Sequence, residues 1–354
     1  YYTPPTGYLA LCTSNLAAAA VTPSEHFNAV TYTGDNATSL AITGVGFQPD
    51  FVWLKRRDSS ASHHLGDAVR GSTKGLLTNG TNAEFTSASD RDLRSFDSDG
   101  FTVGQDYYSS VNTSGATMVA WNWKANGSGS SNTDGNVTTT VSANTDAGFS
   151  IVTWTGDGSG PNTYGHGLNL APEFVTVKRR NDTASWYTWF KGITSNYAVF
   201  LNDTNAQQND GNITAVSATT ITAADGIMTD NNNTFVAYCW HSVDGYSKIG
   251  LYEGNGNADG TFVHTGFRPA YVLNKNIDNS DSWQIFDSKR SPYNVMDERL
   301  IANLNNAEQT NTAAYDFTSN GFKIRTNDSN FNTSGQTYLY LAFAETPFKY
   351  TNAR

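Results

Sequence analysis

One stretch of this chain is written three times, and that repetition limits the fold more than any other feature. Gly46-Phe47-Gln48-Pro49-Asp50-Phe51-Val52-Trp53-Leu54-Lys55-Arg56-Arg57 returns as Leu170-Ala171-Pro172-Glu173-Phe174-Val175-Thr176-Val177-Lys178-Arg179-Arg180. A looser copy follows as Gly266-Phe267-Arg268-Pro269-Ala270-Tyr271-Val272-Leu273-Asn274-Lys275. Other features keep phase with the three prolines. An aromatic-x-Gly precedes each one, at Tyr32-Thr33-Gly34, Trp154-Thr155-Gly156 and Tyr252-Glu253-Gly254. Ser62-His63, Ser185-Trp186 and Ser282-Trp283 follow, then the turns at Asp99-Gly100, Asp225-Gly226 and Asn320-Gly321. Each copy closes on an aromatic-rich run, Val119 to Trp123, Val236 to Trp240 and Leu339 to Phe343. A fixed internal period of this kind signals repeated structural units rather than one long-range fold.

The units read as β. Proline cannot donate to a ladder and marks a strand start, and the residues after it alternate with period two. Phe51, Trp53 and Lys55 fall on one face and Val52, Leu54 and Arg56 on the other, each face apolar first and basic last, as for a strand that runs out to solvent. Asp-Gly and Asn-Gly pairs supply tight turns. Only 15% of residues are charged, whereas 13% are aromatic, a mixture that suits strands joined by Asn, Thr, Ser and Gly loops. The expected fold is all-β, with three tandem antiparallel β-sandwich units of jelly-roll-like order. The boundaries are an extended leader at 1–25, units at 26–126, 147–244 and 245–354, and a Gly/Ser/Asn/Thr linker at 127–146. The long linker predicts looser docking of the first unit on the second than of the second on the third. Met296 to Ala307 has the one helical composition, or else forms a surface turn.

Candidate chemistry is sparse. A net charge of −10 argues against nucleic acid and anionic membranes as partners. Leu9 to Val21 is interrupted by Thr13, Ser14 and Asn15 and reads as neither signal peptide nor membrane span. Cys12 and Cys239 read as inert thiols with no disulfide framework. His63 and His64 point to opposite faces of a strand and cannot share a metal. Asn255 to Gly260 resembles a calcium loop but has Gly266 where a bidentate Glu is needed. Gly156 to Gly160 lacks the residues of a phosphate cradle. The Lys-Arg-Arg runs read as solvated strand ends paired with Asp58, Asp182 and Asp278. Asp67/Arg70 and Asp287/Arg290 read as turn braces, which the second unit lacks at Phe190 and Ile193. No catalytic residue, metal or cofactor is assigned. The aromatic cluster Trp186, Tyr187, Trp189 and Phe190, with Trp283, is the candidate ligand or subunit contact.

The residues also carry a family resemblance. Pro4-Pro5-Thr6-Gly7-Tyr8-Leu9-Ala10-Leu11-Cys12 resembles the junction after a lectin-like, SPRY-type domain in large virion proteins of marine tailed bacteriophages. Tyr340-Leu341-Ala342-Phe343-Ala344-Glu345-Thr346-Pro347-Phe348 is similar to their C-terminal signature. The Gly-Phe-x-Pro-Asp-Phe-Val-Trp-Leu-Lys run and Asp67-Ala68-Val69-Arg70-Gly71 resemble their repeated β-domain. The resemblance implies a virion-surface, extracellular protein without enzymatic activity, a tail fibre or appendage that adheres to a host-surface glycan or protein. It implies a further domain before Tyr1, in keeping with the absent Met. Partners would be other virion proteins and copies of itself, a homotrimer or higher, with no membrane insertion. Three alternatives stand beside it: a capsid decoration protein without a receptor role, a bacterial surface adhesin or extracellular fibre, and, last, a polysaccharide-degrading enzyme.

Overall fold

Strand Phe51–Arg56 is buried on both faces over its first five residues, and so is its counterpart Phe174–Arg179. Apolar residues on both faces require two layers of cover, and the architecture supplies them. The computed structural model describes residues 21–345 apart from 109, 225, 227 and 311. The chain is all-β, built from antiparallel sheets. In the first unit an inner sheet runs in the order Phe27–Thr33, Thr117–Trp123, Phe51–Arg56, His64–Asp67, Lys74–Leu77, Phe85–Thr86. An outer sheet, Leu40–Thr43, Gly100–Val103 and Leu93–Asp97, lies against it. The second and third units repeat this pairing, with Thr234–Trp240 and Thr337–Ala344 as interior strands of their inner sheets in the place of Thr117–Trp123. Register is kept as well, because Phe51 faces Trp123, Phe174 faces Trp240 and Tyr271 faces Phe343.

Each unit has a private core between its two sheets. In the first it contains Val52, Leu54, Phe101, Val103 and Ala120, and the other two have their own clusters. The opposite faces of all three inner sheets meet in one shared core. Phe51, Trp53, Trp121 and Trp123 pack there with Phe149, Phe174, Tyr238 and Trp240 and with Tyr271, Leu273, Leu341 and Phe343. Rings from different units touch directly, as in the Phe51–Tyr238, Trp121–Tyr271 and Phe27–Phe343 pairs. The units are therefore not beads on a string. They surround a common aromatic centre in a threefold arrangement.

Three expectations change. The stretch 127–146, read as a linker, contains strands Ser130–Asn132 and Thr139–Asn144, which extend the second inner sheet. The turn into this hairpin uses Gly129 at φ +81, where a Cβ would meet the Val141 carbonyl oxygen at 2.9 Å. Asn144 also ties the hairpin to the first unit through its Nδ2 on the Lys124 carbonyl at 3.1 Å. Docking of the first unit is accordingly no looser than that of the others, because contact and not linker length sets it. Met296 to Ala307 is not helical. Leu300–Ile301 pairs with the Gln284–Asp287 strand and Met296 bridges to Tyr315, so tertiary pairing overrides local composition. The leader's first twenty residues, with Cys12, lie outside the described residues.

Candidate functional site

The residues singled out by phase converge where one unit meets the next. His63, Trp186 and Trp283 occupy the same place in the repeat, and each directs a ring nitrogen to a carbonyl of a neighbouring unit. Trp186 Nε1 donates to Leu77 at 2.9 Å, Trp283 Nε1 donates to Phe200 at 2.9 Å, and His63 Nε2 lies 3.0 Å from the Ile301 oxygen. Trp53 Nε1 donates to His63 Nδ1 at 3.0 Å, so Nδ1 is the acceptor and Nε2 carries the proton. The second unit thus seats on the first, the third on the second and the first on the third, which closes a ring within one chain.

The phase-matched lysines reinforce the three joints. Lys55, Lys178 and Lys275 are fully buried, not at solvated strand ends. Lys55 Nζ donates to Asn305 at 3.4 Å, Lys178 to Thr81 at 3.1 Å and Lys275 to Thr204 at 3.1 Å, each time to a backbone carbonyl across a joint. Burial pulls all three down to about 8, because desolvation penalises an ammonium with carbonyls but no carboxylate in contact. The long aliphatic stem that makes Lys compatible with an apolar strand face also allows this placement.

The arginines of the same runs are partly braces across joints. Arg57 pairs with Glu308 at 2.7 Å and with Glu298 at 3.1 Å, and Arg180 pairs with Glu84 at 2.9 Å. Those glutamates also hold the turn braces, since Arg70 reaches Glu84 at 3.1 Å and Arg290 reaches Glu308 at 2.7 Å. Asp67–Arg70 and Asp287–Arg290 close at 2.5 Å with no exposed side-chain surface. Asp67 accepts from Tyr238 Oη at 2.6 Å and Asp287 from Trp121 Nε1 at 2.9 Å, each donor belonging to another unit. Arg56 pairs with Asp58 as the sequence suggests, whereas Asp278 accepts from the Thr337 amide.

The candidate ligand contacts at Trp186, Tyr187, Phe190 and Trp283 are buried, and Trp189 is partly so. Trp186 and Trp283 contact neighbouring units of the same chain; Tyr187 faces the second unit's private core, and its Oη accepts from the Asn212 amide at 2.5 Å. A cavity of about 30 Å³ lies at the centre between Phe51, Trp123, Phe174, Trp240, Tyr271 and Phe343. Its apolar lining and size suit no organic substrate. In the calcium-like loop, Asn255 and Asn257 accept from their own chain at Asn257 and Asp259, and Asp259 pairs with Lys323 at 2.9 Å. Its oxygens close the turn. Among the described residues no three His, Cys, Asp or Glu side chains are grouped to hold a metal. Cys239 is buried and its thiol is pushed up to about 12 by desolvation.

Sequence reasoning missed the joint role of the lysines and of His63. The signal was available in the shared phase of Lys55, Lys178 and Lys275, and in three ring N–H groups at one repeat position. A family model described as a domain of unknown function, DUF7483, matches residues 22–347, and the chain belongs to that family. No curated protein and no solved structure matches the chain.

Proposed function

We propose that this member of the DUF7483 family is a structural module exposed on a virion, of the tail-fibre or appendage kind, which presents surface loops to a host glycan or protein. The sequence resemblance names the setting. One structural observation carries the mechanical part: the side chains that keep phase across the three repeats are engaged in joints between units. Buried Trp, His, Lys and Asp–Arg groups fasten three sandwiches into one rigid ring. A rigid scaffold with variable loops is the usual way to position a binding surface.

In this reading the module performs no reaction. It associates with other virion proteins through faces outside the ring. A homotrimer of whole chains, expected by analogy with fibres, would use surfaces other than the aromatic inner faces, which close within a single chain.

The test is to locate the chain on purified particles with an antibody in electron micrographs and to measure retention of labelled protein on host cells. Label at the tail or an appendage with saturable cell binding is the expected result. Label on the capsid without cell binding would make it a decoration protein. Absence from particles, with retention on the producing bacterium, would make it a bacterial adhesin.

A further inference from the structure

We propose that Tyr107 and Tyr108 of the first unit form a stacking platform for the sugar rings of an oligosaccharide. This names a contact site within the adhesion reading above and rests on it.

The two rings are exposed, at 64% and 49%, in a chain that buries most of its aromatic residues. They stand edge to face at 86° with centroids 4.4 Å apart, and Phe85 lies 4.5 Å behind Tyr108. The geometry is held from below. Asp92 is fully buried and accepts from the Tyr107 amide on one oxygen and from the Tyr108 amide on the other, both at 3.2 Å. Ser87 Oγ donates to the same carboxylate at 2.5 Å. Phe85 can lie flat because the strand beneath is bare at Gly75, where a Cβ would come 2.2 Å from the ring. A buried carboxylate gripping two consecutive amides fixes the backbone from which both rings project before any ligand arrives, which lowers the ordering cost of binding.

The fold does not need this feature. The platform comes from two loops that are longer in the first unit than in its copies. Residues 85–92 correspond to 208–212 and 309–314, and residues 104–111 to 224–228 and 325–331, as the matched strands and joint hydrogen bonds align them. Both copies build the same pair of sheets without the aromatic corner.

The chemistry selects a sugar. Aromatic faces take the C–H faces of a pyranose, while hydroxyls need polar neighbours of both kinds. Arg91 sits 5.9 Å from the Tyr107 ring centre, and half-exposed Asp90 lies 3.8 Å from Arg91. The rim carries both signs of charge, unlike the cationic groove that nucleic-acid stacking requires. Rings with polar tips at a wet rim also differ from the dry core of a protein–protein contact.

The test probes an array of immobilised neutral and acidic oligosaccharides, and host cells in parallel, with the full chain. It compares the parent with Tyr107→Ala/Tyr108→Ala and with Tyr293→Ala, which removes an 81% exposed ring from the third unit. Thermal melts check that the variants fold. The expected result is binding to a subset of glycans that falls by about tenfold or more in the double variant and is unchanged in Tyr293→Ala. Equal binding by parent and double variant overturns the platform and leaves adhesion standing elsewhere on the surface. Cell binding by the parent with no glycan captured also overturns it and assigns a protein receptor. Loss of both cell and glycan binding in the parent overturns the adhesion reading along with the platform.

Discussion

The joint between the first and third units and the joint between the third and second share a frame and differ in polarity. Both seat a ring N–H on a carbonyl and a lysine on a second carbonyl. Both add one backbone bond in the same place, Glu308 N to Arg57 O at 2.7 Å and Gln207 N to Ile277 O at 2.9 Å. Around that frame the first joint carries Asp287, Arg290, Glu308, Arg57 and Trp121. The second carries Phe190, Ile193, Gln207, Ile277 and Leu341. Every charged or donating group has been exchanged, and the exchanges match: where Asp is replaced by Phe, the donor opposite it is replaced by Leu. The joint between the first and second units has the ionic set, with Asp67, Arg70, Glu84, Arg180 and Tyr238. A buried ion network and a hydrophobic patch are thus two solutions to one interface. Mixtures of them leave a charge unpaired, which is why the change comes as a set.

The largest expected effect comes from breaking one set halfway. Asp67→Ala takes from Arg70 its closer carboxylate, leaving Glu84 at 3.1 Å, strands the Tyr238 hydroxyl in a buried site, and should lower unfolding stability by about 3–5 kcal/mol in denaturant titrations. Moving the complete apolar set into that joint, as Asp67→Phe, Arg70→Ile, Glu84→Gln, Arg180→Ile and Tyr238→Leu, should recover most of the loss. If the fivefold variant is as unstable as the single one, the two joints are not interchangeable and the comparison fails.

A smaller effect tests what the joints share. The buried lysines hold protons only below about 8, while an unfolded chain keeps them to about 10.5. Between those values the unfolded state binds more protons, so stability should rise with pH from 8 to 10, by up to about 2–3 kcal/mol per lysine. Below pH 8 the penalty of burying each charge is present in full. Above pH 10 the rise should end, because burial pushes the hydroxyls of Tyr238, Tyr246 and Tyr271 up and tyrosines ionise first in the unfolded chain. Denaturation curves for Lys55→Met, Lys178→Met and Lys275→Met should each lose a comparable share of the rise. A loss confined to the two ionic joints would show that the lysines depend on the neighbouring carboxylates.

The smallest effect belongs to charges outside the joints. Arg56→Ala removes a pair with partly exposed Asp58 and should cost less than about 1 kcal/mol, against a larger loss for Arg57→Ala next to it. Equal losses would mean that joint membership does not set the value of a charge.

Much of the fold was legible. Proline phase, turn pairs and closing aromatic runs locate the repeated strands, and the spacing of Asp67 and Arg70 reveals the brace. Closure was not legible, for a physical reason. Phe51-Val52-Trp53-Leu54 reads the same whether its second face meets a sister sheet or a common centre, since burial pattern reports cover and not its source. Lys55 misleads in the same way, because a basic residue at a strand end signals solvent unless the carbonyls that receive it are known. Trp186 and Trp283 were found, but clustering alone does not tell a ligand contact from a contact between units of one chain, which is where both rings lie. Tyr107 and Tyr108 were passed over, although comparing loop lengths among the copies singles out that corner.

The common centre also sets the order in which the chain can be finished during synthesis. The first inner sheet can pair its strands once Trp123 has been made, yet its face of Phe51, Trp53, Trp121 and Trp123 has no complete partner until Leu341 and Phe343 follow. For that interval two nearly finished units carry broad aromatic faces into water, where such surfaces invite aggregation. Among the described residues the last strand to emerge, Thr337–Ala344, is an interior strand of its inner sheet, flanked by Ser247–Glu253 and Pro269–Asn276, and supplies the final wall of the centre. A ribosome stalled shortly before it would leave a product with its β-units largely formed and its most adhesive surface uncovered.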